Sequence, residues 1–241
     1  MSRTRNVALA LFTTIVLLAA TAYGLLQVSK SRSFQLFGDL VDRVDTDQRV
    51  VALTFDDAPL TQTSAVLDIL REKDVTGTFY MIGESIEQQP AAAAEIAEAG
   101  HELGNHSYSH RRMVATNETP GFVRDELDRT DDLIRSAGYR GEITFRPPYG
   151  KKFLVLPWQL SQRGTTAVTW DVEPDTYHAG DAQALADYTV NNTRPGSIIL
   201  MHPFCDVACE ADREALPQVI DRLRADGYRF VTVRELLAMR R

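Results

Sequence analysis

Cysteine is nearly missing from this 241-residue chain, which holds only Cys205 and Cys209. With no further cysteine to complete a thiolate site, a metal held by this pair is possible but poorly supported. The pair could close a short loop by a disulfide in an oxidising compartment, or remain two thiols. Histidine is scarce as well, with five residues. No Gly/Ser/Pro-rich linker, low-complexity tract or internal repeat interrupts the chain, which excludes solenoid arrays and tethered modules. Acidic residues are absent from the first 32 positions, and a cationic surplus is absent from the rest. Residues 33–241 carry 22 basic against 33 acidic side chains, a formal charge of −11. Long-range steering toward nucleic acid or an anionic polymer is therefore not expected. A neutral or cationic substrate fits better.

What is present begins with a long apolar run. Arg3 and Arg5 precede Val7 to Leu26, 20 residues without a charge, and Lys30 and Arg32 follow. That length suits one membrane-spanning helix. Ala20-Thr21-Ala22 offers a signal-peptidase site, so residues 1–32 are expected to be an uncleaved signal-anchor or, second, a removed signal peptide. Basic residues on both flanks leave the orientation rule with little to say. Either way the remainder is expected to be exported, facing the periplasm or cell exterior. Residues 33–48 read as a short connection, and 49–241 as one catalytic domain large enough for a full core.

Strand-like apolar runs alternate with helical patterns through that domain. Strands are expected at 50–55, 77–81, 101–104, 142–145, 166–170, 197–201 and 229–233. Helices are expected at 63–72, 86–99, 122–137, 181–192 and 213–225, with a short one at the end. This alternation predicts an α/β fold of parallel strands with helices outside: a β/α barrel first, an open doubly wound sheet second.

The chemistry-bearing residues fall where strands end. Asp56 and Asp57 follow the apolar run Val50 to Leu53, and Ala58-Pro59 stops it. Strand C-termini are where α/β proteins gather ligands. Two adjacent carboxylates repel there unless a cation relieves them. His106 and His110 sit four apart after the third strand, a spacing that stacks imidazoles on one face of a helical turn and recurs in zinc sites. Two histidines and one Asp leave positions open for water and substrate. Arg146 lies in a proline-stiffened loop, Pro147-Pro148-Tyr149, which could hold the Tyr149 amide as an oxyanion donor. Trp170 to Pro174 brings more acids, and Leu200-Met201-His202 ends the next strand. Trp170 reads as core first and as a sugar platform second. Lys151-Lys152 reads as a solvated turn.

This ordered set resembles the polysaccharide deacetylase (NodB-homology) family of carbohydrate esterases, over roughly residues 49–238. The resemblance implies a distorted (β/α) barrel that removes N- or O-acetyl groups from peptidoglycan, chitin or similar glycans with one divalent metal, zinc by preference. It implies Asp57, His106 and His110 as metal ligands, Asp56 as general base and Arg146 as the group orienting it. Tyr149 would stabilise the oxyanion, His202 would be the general acid, and Leu200 would line the acetyl pocket. Departures bear on specificity. Ala58 replaces the usual glycine. Glu173 stands at the acid position expected to pair with His202, with Asp171 and Asp175 as alternates. Tyr177 stands in for a missing tryptophan, and Pro203 with the cysteine loop replaces an acid after His202.

An acetylated glycan as substrate and a membrane held through the N-terminal helix are the expected partners, with no nucleic acid. Two other readings stay open. One is a hydrolase of the same fold acting on a non-glycan amide, imide or acetyl ester. The other is a non-catalytic glycan-binding protein.

Overall fold

The computed structural model describes residues 2–114 and 118–240. Helix α1 spans Ser2–Lys30, and its stretch Asn6–Lys30 is long and apolar enough to cross a membrane; Ser29, near its end, is buried. The sheet then builds from β1 (Leu40–Val41), β2 (Val50–Ala58), β3 (Thr78–Met81), β4 (Glu102–Asn105), β5 (Ala167–Val168), β6 (Ile198–Met201) and β7 (Arg229–Phe230). β2 is central and pairs in parallel with β3, β6 and β7. β3 pairs in parallel with β4.

Single parallel bridges carry the pairing onward, from Asn105 to Phe145 and from Phe145 to Ala167. Val172 then bridges Ile199 of β6, returning the ring to β2. Between β5 and β6 the wall is open at one end. There β1 pairs with β5, while Arg43 bridges Ser197. The result is a distorted barrel of parallel strands. The central strand opens on an unbroken apolar run because both of its faces are covered: Val50 to Leu53 are wholly buried.

Outside the ring lie α2 (Thr63–Glu72), α3 (Gly83–Gln88), α4 (Pro90–Glu98), α5 (Pro120–Ser136), α6 (Val155–Arg163), α7 (Asp175–His178), α8 (Ala182–Asn192), α9 (Glu210–Ala225) and α10 (Val233–Leu237). The one helix expected over 86–99 is two. Pro90 opens α4 and cannot donate the backbone bond that a continuous helix needs at that point. The strand expected at 142–145 contracts to the bridging residue Phe145. Residues 33–48 are more than a connection, since β1 lies inside them and fills the seam. The Lys151-Lys152 turn is only half solvated. Lys152 is 1% exposed, and its ammonium donates to the Ser31 carbonyl. Burial lowers its pKa to about 8.

The main core joins Leu53, Phe55, Phe79 and Leu103 from the strands to Val66, Leu70, Val219 and Ile220 from the helices. Phe204 belongs to it, with its ring 6.2 Å from Phe55 and 5.7 Å from Phe79. The segment after His202 therefore turns inward at Phe204 instead of overhanging the strand ends. Cys205 and Cys209 are disulfide-bonded there, and Arg213 holds the loop by donating to the carbonyls of Pro203, at 2.8 Å, and Asp206, at 2.7 Å.

Candidate active site

Both acids of the Asp56-Asp57 pair sit at the C-terminal end of β2, in very different surroundings. Asp56 is 2% exposed and accepts from Arg146 Nη1 at 2.7 Å. Arg146 is itself wholly buried. Its guanidinium also donates to Thr54 Oγ1 at 2.8 Å and the Thr169 carbonyl at 3.0 Å, and lies 4.0 Å from the Tyr80 ring centre. So many fixed partners leave the fork one orientation. Burial alone would raise the Asp56 pKa; Arg146, His106 and His202 outweigh it and hold the carboxyl below its usual value. Asp56 is thus kept ionised, as a base must be.

Asp57 takes a left-handed backbone, φ 69°, which turns its carboxylate away from that of Asp56 and toward two imidazoles. Its Oδ1 lies 3.4 Å from His110 Nε2 and 3.8 Å from His106 Nε2. The neighbouring Ala58 is outside the left-handed region, so the alanine meets no strain where glycine is usual.

His106 and His110 meet in a loop, not on a helical turn. Positive φ at Ser107 (69°) and His110 (53°) folds the chain back so that the rings lie 4.9 Å apart. Such angles cost energy in non-glycine residues and persist only where neighbours enforce them. The enforcement comes from α5, through residues the motif analysis did not single out. Glu126 accepts from the Tyr108 and Ser109 amides at 3.0 and 2.8 Å. Asn105 accepts from the Ser107 amide at 2.8 Å and donates to Asp131 at 2.7 Å. A buried carboxylate in an otherwise amphipathic helix, as at Glu126, was the available signal.

The donor set fits a divalent cation. One ligand atom from each of Asp57, His106 and His110 lies within 4.8 Å of the others. Asp57 Oδ1 is buried without a hydrogen-bond partner among the described residues, an orphan that a cation would satisfy. His106 donates from Nδ1 to the Arg146 carbonyl at 2.7 Å, leaving the Nε2 lone pair toward both acids, 3.5 Å from Asp56 Oδ2 and 3.8 Å from Asp57 Oδ1. Burial and the neighbouring His106 lower the His110 pKa against the pull of Asp57, which favours the neutral, ligating imidazole.

On the other side of Asp56 lies His202. Its Nδ1 bonds Asp175, the first residue of α7. Burial would lower the His202 pKa, but the Asp175 bond and the charges of Asp56, Asp175 and Asp57 push it up to about 9. Glu173, the residue expected to make this pair, does not reach it. Its carboxylate accepts from Trp170 Nε1 at 3.0 Å and from Arg32 at 2.5 Å. Asp171 serves the backbone of Ile198 at 2.9 Å and Ser197 Oγ at 3.0 Å. The short helix α7 decides the matter by placing Asp175 beneath the imidazole.

A cavity of about 290 Å3 opens beside His202, lined by Tyr149, Trp170, Glu173, Thr176 and Leu200, with Arg32 and Lys151 at its rim. Leu200 is 1% exposed and Trp170 5%, so both are walls of the cavity. Tyr149 is 51% exposed and left-handed, φ 59°. Its ring packs 4.7 Å from His110. Tyr177 does not join the cavity; it is 63% exposed and stacks 5.4 Å from Tyr188. The site gathers Asp56, Asp57, His106, His110, Arg146, Tyr149, Leu200 and His202, and leaves Tyr177 outside.

The likenesses to known proteins converge on one family. The family model for polysaccharide deacetylase matches residues 43–168. A peptidoglycan-N-acetylglucosamine deacetylase of Bacillus cereus is 35% identical over 188 residues, covering 76% of this chain and 66% of that protein. Coverage of other curated relatives runs from 91% of a second Bacillus cereus peptidoglycan-N-acetylglucosamine deacetylase, 30% identical, down to 26% of a bifunctional xylanase/xylan deacetylase of Cellvibrio japonicus, 33% identical. A solved peptidoglycan N-acetylglucosamine deacetylase in complex with 4-naphthalen-1-yl-N-oxidanyl-benzamide superposes with a TM-score of 0.75 at 31% identity, over 81% of this chain and 91% of that one. A CE4 family pseudoenzyme from Bacillus anthracis superposes with a TM-score of 0.74 at 27% identity, over 83% and 69%. With the family model matching over half of it and the acid pair and paired imidazoles at its strand ends, this chain belongs to the polysaccharide deacetylase family.

Proposed function

We propose that this chain is a divalent-metal-dependent hydrolase that removes N-acetyl groups from a cell-wall or chitin-like glycan, with zinc as the preferred ion. The observation that carries the reading is that Asp56, with Oδ2 3.5 Å from His106 Nε2, and His202, which feels the charges of Asp56 and Asp57, both border the Asp57–His106–His110 triad, one held ionised and the other held protonated. A base and an acid whose environments push their pKa values apart form a working proton-transfer pair.

The division of labour follows from those environments. Asp57, His106 and His110 would hold the cation, which polarises the acetyl carbonyl and makes a nearby water more acidic. Asp56, steadied by Arg146, takes the proton of the attacking water. The Tyr149 amide donates toward the oxygen that gains charge, a contribution worth roughly 3–4 kcal/mol in comparable sites. His202 delivers its proton to the departing nitrogen, and Asp175 stabilises the imidazolium until it does. Leu200 and Trp170 form an apolar wall suited to the acetyl methyl.

Helix α1 is read as a retained signal-anchor that places the catalytic domain outside the membrane. A same-fold hydrolase of a non-glycan amide or acetyl ester is the second reading. It is favoured by the burial of Trp170 and the outlying position of Tyr177, which leave Tyr149 as the exposed ring of the cavity. The test is acetate release from acetylated chito-oligomers, peptidoglycan and a simple aryl acetate after zinc reconstitution, with a chelator control. Release from the aryl acetate alone would overturn the glycan reading in favour of the second.

A further inference from the structure

The end of α1 does not hang free of the catalytic domain. The Lys152 amide donates to the Ser29 carbonyl at 3.1 Å, Thr169 Oγ1 donates to the Arg32 carbonyl at 2.6 Å, and Arg32 lies 4.8 Å from the Trp170 ring centre. The last two turns of the apolar helix therefore rest on the loops that form the mouth of the site. Between them runs an apolar groove of about 330 Å3, walled by Ala22, Leu25, Leu26 and Ser29 on one side and by Val114 and Phe153 on the other. Ala22 to Ser29 is about 10 Å along a helix axis. If α1 crosses a bilayer, Val114 and Phe153 sit at the depth of its headgroups and upper acyl chains.

Three cations lie close in the chain to the residues that line this groove. Lys30 follows Ser29, Arg112 precedes Val114 by two residues, and Lys151 precedes Phe153 by two. Arg112 lies 4.8 Å from the Tyr149 ring centre. Partial desolvation and then the fields of Arg112 and Lys30 lower the Lys151 pKa, so the three are electrostatic neighbours. Among the described residues none of them is paired with a carboxylate. In a chain of net charge −7, three neighbouring cations left unpaired at one rim are a local reversal of the overall field.

We infer that this groove and its rim bind one anionic phospholipid of the surrounding bilayer, with an acyl chain between α1 and Phe153 and the phosphate among Lys30, Arg112 and Lys151. The inference rests on reading α1 as a retained membrane helix. Continuity with α1 identifies the occupant as lipid, and the unpaired positive charge identifies it as anionic. Lys151 also rims the cavity beside His202. The mouth of the site therefore opens at the membrane surface, and the acetylated sugar it receives is one held close to that surface.

The test is the full chain reconstituted in phosphatidylcholine vesicles carrying spin-labelled phosphatidylglycerol or spin-labelled phosphatidylcholine. The motionally restricted fraction of each lipid is read by electron paramagnetic resonance. The expected result is a preference for phosphatidylglycerol that falls about fivefold for each of Lys30→Ala, Arg112→Ala and Lys151→Ala. The charge-keeping set Lys30→Arg, Arg112→Lys and Lys151→Arg should retain the preference, which separates lost charge from lost folding. Equal restriction of the two lipids, or a preference that survives all three alanines, overturns the inference. Failure of the chain to co-sediment with vesicles overturns it together with the anchor reading, whereas co-sedimentation without preference overturns it alone. Deacetylase activity enters none of these readouts.

Discussion

Arg146 serves His106 with its backbone and Asp56 with its side chain: the carbonyl accepts the imidazole Nδ1 proton at 2.7 Å while Nη1 reaches the carboxylate at 2.7 Å. One residue thus sets the tautomer of a metal-facing histidine and the charge of the candidate base. Because the two jobs use different atoms, substitutions can separate them.

Asp56→Asn keeps the shape of the base and removes its basicity. Turnover of an acetylated glycan should fall by roughly 10²–10⁴-fold, while the zinc content of the purified protein, read by mass spectrometry, stays at one ion per chain. Equal loss of metal would refute the assignment of Asp56 as base and Asp57 as ligand.

Arg146→Met takes away the cation that offsets the burial of Asp56, in a site where both groups are buried. Breaking such a pair from one side costs about 3–5 kcal/mol. Urea denaturation of the single variant should show that loss, and Arg146→Met combined with Asp56→Asn should regain most of it. A double variant no more stable than the single one would show that Arg146 matters through packing on Tyr80 instead.

The His202–Asp175 pair predicts a pH effect of definite sign. The folded-state pKa of His202 is raised above its ordinary value to about 9. The stability it contributes is therefore complete below the unfolded value, near 6.5, and is lost as pH rises through about 9. Asp175→Asn should move the basic limb of the kcat profile toward lower pH, since the acid deprotonates earlier. Glu173→Gln should leave that limb in place. Reversal of these two outcomes would restore Glu173 as the tuning residue.

His202→Ala should damage amide hydrolysis by at least tenfold more than hydrolysis of an activated acetate ester, whose leaving group departs without a proton. Parallel losses on a chito-oligomer and a nitrophenyl acetate would count against the acid role.

The barrel was legible because its central strands hold unbroken apolar runs, as at Val50 to Leu53 and Ile198 to Met201. The motif residues were legible because they follow those runs. What escaped was decided by backbone angles and by short elements. Nothing in the spelling of Asn105 to His110 announces left-handed angles at Ser107 and His110, so the expected helical turn is a pinned loop. Glu173 and Asp175 are two residues apart, and only the four-residue helix α7 determines which faces the imidazole. The strand β1 has two residues and carries no periodicity to read.

That small strand has a practical bearing on how the enzyme could be prepared without helix α1. A soluble form beginning at residue 49 would strip the neighbours of β5 and Ser197 from the seam they share with residues 40–43, leaving bare amides and carbonyls that invite chain-to-chain association. A form beginning at Ser31 would retain the latch as well as Arg32 against Glu173 and Trp170. It is the shorter of the two deletions, and the one that preserves both the closed wall and the rim of the cavity.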